Sequence, residues 1–180
     1  RRHMQQKEKE WDEKFESLQS SKASVIPPKS DEDIEAWATK YPDVAGIVET
    51  IATKKAQEMF SAMGDDFGEF FAMMHKRGLM DLKSRDGKAG GGYCTIFADQ
   101  EAPFIFANFN GSQGDVRVFT HECGHAFQAF QSRNQPLRQL IWPTYEAAEI
   151  HSMSLELLTY PWMDMFFEED TNRFIISHLE

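Results

Sequence analysis

His121-Glu122-Cys123-Gly124-His125 places two histidines four residues apart, with a glutamate directly after the first. On a helix of 3.6 residues per turn, positions i and i+4 share one face about a turn apart, so both imidazoles can bind a single Zn2+. Glu122 is rotated about a quarter turn away, where it does not compete for the ion but can approach a metal-activated water as general base. Zinc brings the pKa of water towards neutrality and polarises a carbonyl, so an ordinary carboxylate can take the proton and later pass it to a leaving amine. The pattern also arises by chance, and isolated histidines on a helix face usually only pack. The surrounding residues therefore have to decide.

A catalytic zinc takes three protein ligands and keeps one position open. Glu146, Glu149, His151 and Glu156 are the candidates for the third. Glu149 follows His125 by 24 residues, enough for one helix to end, the chain to turn through Gln135-Pro136, and a second helix to return. Ser152 and Glu156, at +3 and +7, share its face. Glu149 is expected as the third ligand, with Glu156 or Glu146 accepting a hydrogen bond from the free nitrogen of a ligand histidine. His151 points away from the metal side and is expected to line the cleft or to pack. A glycine inside a helix costs about 1 kcal/mol relative to alanine, so Gly124 implies close approach of another backbone. Cys123 lies opposite the histidines and reads as a buried thiol.

The elements that must hold these residues follow from periodicity. A helix from about 115 to 132 carries the motif, and one from about 144 to 160, opened by Pro143 and closed by Tyr160-Pro161, carries Glu149. Upstream, Tyr93 to Phe97 and Phe104 to Phe109 are rich in aromatic and β-branched residues and read as two short strands joined by a turn. The second strand, if its edge is unpaired, can hold an extended peptide by main-chain hydrogen bonds, with Phe106, Asn108, Asn110 and His151 as candidate substrate contacts; an ordinary buried hairpin strand is the alternative. Gly90-Gly91-Gly92 lacks the Gly-Lys-Ser/Thr ending of a phosphate loop and reads as a turn or flap. Apolar residues at helical spacing predict helices near 43–63 and 66–77, stopped by Gly64 and Gly78. Residues 1–28 read as a charged helix with one apolar stripe, Trp11, Phe15 and Leu18, followed by a linker, and residues 29–180 as a partial catalytic domain. The fold class is mainly α with a small β hairpin or sheet.

Composition narrows the partners. In 180 residues, 19 basic and 29 acidic side chains give a net charge of −10, which repels a nucleic-acid backbone, and no basic patch offsets it. No run approaches the ~18 apolar residues of a membrane span, so neither nucleic acid nor membrane is an expected partner. Two cysteines are too few for a disulfide framework, and a cytoplasmic location is the default expectation.

His-Glu-Cys-Gly-His-Ala-Phe, followed by Glu149-Ile-His-Ser-Met-Ser-Leu-Glu156, resembles the oligoendopeptidase F group of the thimet-oligopeptidase-like M3 metallopeptidases. The stretches Gly-Lys-Ala-Gly-Gly-Gly-Tyr-Cys-Thr and Ala-Pro-Phe-Ile-Phe-Ala-Asn-Phe-Asn-Gly resemble the same group, so the likeness covers about 70–179. The resemblance implies a gluzincin: a zincin-type, mostly helical catalytic core, one zinc per chain held by His121, His125 and Glu149, Glu122 as base, and internal cleavage of short unstructured oligopeptides. Members of that group are several times longer and place a further His and Tyr, which stabilise the oxyanion, well after the second motif. Tyr93, Tyr145, Tyr160, His151 and His178 are available here, but their spacing singles out none of them, and a fragment is expected. A zinc carboxypeptidase and a non-catalytic, zinc-stabilised peptide-binding fragment are the alternatives.

Overall fold

A computed structural model describes residues 42–109 and 112–179. The expected N-terminal helix and linker, residues 1–28, and Asn110 lie outside them. Helix α1, Pro42–Met63, begins on a proline, which has no N–H to leave unpaired in a first turn. It is followed by α2, Asp65–Lys76, whose acidic first turn and basic last turn both suit the helix dipole. Gly78 then takes φ 64, a left-handed conformation glycine reaches without strain, and the chain enters the sheet.

Among the described residues the sheet has three strands: β1, Met80–Lys83; β2, Gly92–Phe97; and β3, Ala102–Phe109. Their order is β1-β3-β2, with β1 parallel and β2 antiparallel to β3. The hairpin of β2 and β3 matches the expectation, and β1 is an addition to it. That addition corrects the reading of β3 as a peptide-binding edge: β3 is central, paired on both sides, and among the described residues the edges belong to β1 and β2. The residues between β1 and β2 are fastened by Lys88, whose Nζ bonds the main-chain oxygens of Asp81 and Lys83 and the Asp81 carboxylate while lying 4.7 Å from the Phe106 ring centroid.

Helix α3, Gln113–Ser132, packs across the face of the sheet that carries Ile105, Ala107 and Phe109. A short turn of helix, α4, Arg138–Ile141, leads to α5, Tyr145–Leu158, where the Thr144 hydroxyl caps by accepting from the Ala147 N–H. Two short segments, α6, Asp164–Phe167, and α7, Thr171–Leu179, follow. The core lies where α1, α2, α3 and the sheet meet, with Phe60, Phe70, Phe71, Met74, Ile105, Phe109, Phe119 and Leu155 buried. Each such side chain contributes about 1.5–3 kcal/mol when fully removed from water. Edge-to-face contacts of Phe119 with Phe71 and Phe109, at 5.7 and 5.9 Å between ring centroids, anchor the half of α3 just before the motif. No helix among the described residues is long and apolar enough to cross a membrane.

Candidate metal centre

The motif sits in the middle of α3, and α5 packs beside it more closely than two ordinary helices can. A Cβ built on Gly124 would stand 2.6 Å from Ser152 Cα and 2.8 Å from the His151 carbonyl oxygen, so only glycine admits α5 at this depth. The backbone approach expected from Gly124 is therefore present, and its partner is the Glu149 turn of α5. Ser152, fully buried, donates its hydroxyl to Glu149 Oε2 at 2.9 Å. The helix contact and this hydrogen bond together aim the Glu149 carboxylate at the histidines.

Glu149 Oε2 lies 3.1 Å from His121 Nε2 and 3.7 Å from His125 Nε2. One donor atom from each of the three residues falls within 4.8 Å of the others, the spacing needed around a single ion. Two imidazole nitrogens and a carboxylate oxygen make a borderline donor set suited to zinc. The Glu149 side chain is 49% exposed while His125 is 10%, so the cluster is walled by protein behind and open in front. These residues fit the ion that the spacing of the motif implies.

Behind His121, Nδ1 hydrogen-bonds Glu156 Oε1. An ionised carboxylate only accepts, so the proton sits on Nδ1 and leaves Nε2 directed at Glu149 and His125. Of the two carboxylates considered for this contact, Glu156 makes it; Glu146 is exposed in the first turn of α5, with no bond to either histidine among the described residues. Hydrogen bonding to Glu156 raises the pKa of His121, with smaller contributions from the nearby carboxylate charges. His125 shifts the other way, lowered first by burial and then by the charge on His121. Burial works against the Glu156 carboxylate, but hydrogen bonds and charge from His121 and His178 hold its pKa below the ordinary value.

Glu122 is 7% exposed and lies between α3 and β2. Burial, reinforced by the charge of Glu149 and opposed by that of His121, raises its pKa to about 7, and the Cys94 main-chain N–H donates to its carboxylate. Gly92 makes room here: a Cβ on it would meet Val118 Cγ1 at 2.6 Å and Glu122 Oε1 at 3.5 Å. Strand β2 is thus the strand beside Glu122, and its outer edge is unpaired among the described residues.

The remaining candidates are spread around this centre. Phe106 stacks on Tyr93 on the face of the sheet away from α3, with ring centroids 5.0 Å apart. Asn108, on that same face, has its Oδ1 buried without a hydrogen-bond partner among the described residues. His151 is exposed, and its charge contributes to lowering the His125 pKa. Tyr145 is 85% exposed, whereas Tyr160 and His178 pack against each other behind Glu156, 5.6 Å between rings, and not in front of the cluster. Cys123 is fully buried, as expected of a packing thiol. The contact of His178 with Glu156 had no signature in the sequence, because two helix breaks separate them.

The family model of Peptidase family M3 matches residues 6–177. The chain is similar to the chromosomal oligoendopeptidase F of Lactococcus lactis subsp. cremoris, 25% identical over 130 residues that cover 72% of this chain and 21% of that protein. Among solved structures, it is similar to PZ peptidase A, determined with an inhibitor: 47% identity, TM-score 0.71, covering 72% of this chain and 23% of that one. It is also similar to a Bacillus anthracis str. Ames protein designated a candidate oligoendopeptidase F: 49% identity, TM-score 0.71, covering 72% and 24%. The chain spans about a fifth of the length of the curated relative and about a quarter of the two solved chains. A family match running over almost the whole sequence, joined to a shared fold, means that this chain belongs to peptidase family M3.

Proposed function

We propose that residues 29–180 form part of the catalytic domain of a zinc-dependent endopeptidase, with His121, His125 and Glu149 holding one Zn2+ and Glu122 moving the proton. The observation that carries this reading is the convergence of one donor atom each from His121, His125 and Glu149 within 4.8 Å of one another, next to a buried glutamate that is not one of them. When bound there, the ion supplies Lewis-acid activation of water and of the scissile carbonyl.

The protein's own groups do the rest. Glu122 accepts a proton from the attacking water at its carboxylate and returns it to the leaving amine. Glu156 keeps the His121 ring in one tautomer, and Ser152 keeps Glu149 turned towards the histidines. The outer edge of β2, beside Glu122, offers main-chain groups to an extended peptide, a mode of binding that tolerates many side chains. The likeness to the oligoendopeptidase F group implies short, unstructured oligopeptides as the substrate class.

The test is cleavage of a peptide blocked at both ends, followed by mass spectrometry, with the unaltered chain and Glu122→Gln. Internal cleavage that falls by about 10²–10⁴-fold in the variant is expected. Equal cleavage by both would remove Glu122 from the mechanism. Cleavage confined to peptides with a free C-terminus would favour a carboxypeptidase, and peptides bound but left intact would favour a non-catalytic domain.

A further inference from the structure

Glu156 is held from both sides. Its Oε1 takes the His121 Nδ1–H, and its Oε2 lies 2.6 Å from Nε2 of His178 in α7, with the His178 and Glu156 side chains only 10% and 6% exposed. We propose that His178 is a positioning residue for the metal centre: by gripping the far oxygen of Glu156, it fixes the carboxylate plane and, through it, the direction in which His121 presents Nε2. The inference rests on the reading of His121, His125 and Glu149 as a zinc site.

A glutamate's terminal torsion is broad, so a carboxylate held by one hydrogen bond can still swing about that contact. Two donors on opposite oxygens remove the freedom. Without His178, Oε2 keeps Arg117 Nε at 3.8 Å, beyond hydrogen-bond length and on a side chain that is 56% exposed. A buried carboxylate oxygen left in that state turns towards whatever donor remains, and the His121 ring turns with it. Packing alone does not account for a histidine here. Its ring contacts with Tyr160 and Phe174, at 5.6 and 5.9 Å, are ones a phenylalanine would make equally well. Its Nδ1 is buried with no partner among the described residues, which leaves Nε2 as the polar atom in use.

The test uses the full chain unaltered, His178→Phe, which keeps the ring and loses the donor, and His178→Gln, whose amide N–H reaches about as far as ring Nε2. Three quantities are measured: zinc affinity by competition with a chromogenic chelator, the visible spectrum of the Co2+-loaded protein, and the melting temperature in EDTA. Loss of a direct partner of a ligand histidine costs about 10–100-fold in metal affinity; one step further out, His178→Phe is expected to lose roughly three- to tenfold and to shift the cobalt bands. His178→Gln is expected to return within about twofold of the unaltered chain, even where its EDTA melting temperature is no higher than that of His178→Phe. Unaltered affinity and spectrum in both variants, or a glutamine variant that binds no better than the phenylalanine one, would overturn the proposal. Absence of zinc binding by the unaltered chain would overturn the metal-site reading and this inference with it.

Discussion

Glu122 and Glu149 are both glutamates within one site, yet their surroundings give them different work. Glu149 faces outwards and reaches the two histidines, whereas Glu122 is enclosed between α3 and β2 and has its pKa raised by that burial. A carboxyl whose pKa is raised on folding holds a proton that the unfolded chain releases above 4.5, so its contribution to stability falls as pH rises from 4.5 to about 7. Glutamine does not titrate. In EDTA, Glu122→Gln should therefore gain stability relative to the unaltered chain across that window, by on the order of 1–3 kcal/mol, in denaturant titrations at pH 5 and pH 8. A difference that stays constant between the two pH values would contradict the burial of Glu122 as described. Ser152→Ala removes the hydroxyl that turns Glu149 towards the histidines and should weaken zinc binding by about tenfold in a chelator competition, with little effect on helix content.

At the scale of elements, the site depends on how closely three of them approach, and two glycines set the distances. Gly124→Ala drives a Cβ into the backbone of α5, which cannot move without carrying Glu149 away; a loss of about 1–3 kcal/mol and of most zinc affinity is expected from melting and metal titration. Gly92→Ala meets chiefly a methyl of Val118, a side chain with some freedom to turn, and should cost less on both measures. If the two substitutions proved equal, the close helix contact would not be what aims Glu149. The glycine at Gly124 and the histidine spacing were legible in sequence because each follows from helical geometry alone. Strand β1 was not: four residues with a single fully buried side chain, Leu82, show no periodicity, and their pairing with β3 is a tertiary event. That omission is why β3 read as a free edge, when β2 is the strand beside Glu122. His178 was equally hidden, since the breaks at Tyr160–Trp162 and Glu168–Asp170 erase any phase between it and Glu156.

Across the whole molecule, helix α3 is fastened on both sides, by aromatic packing before the motif and by α5 against its centre, with Cys123 inside that arrangement and Cys94 half-buried beside it. Burial, then the charge of Glu122, raises the pKa of Cys94 to about 12, and Cys123 is fully enclosed with its pKa well above the ordinary value. Reaction of the native chain with a thiol reagent at pH 8 should be more than about 100-fold slower than that of free cysteine, and both thiols should react promptly in denaturant. Fast labelling of one thiol in the native chain would mean that β2 and α3 separate readily at Glu122. If two helices bring His121, His125 and Glu149 together as one metal site, the chain must retain the ion by itself. Zinc content per chain, by elemental analysis after dialysis against metal-free buffer, measures this. A value near one, falling to near zero in His125→Ala, is the predicted result; a folded chain with no zinc, or with zinc that survives the loss of His125, would contradict it.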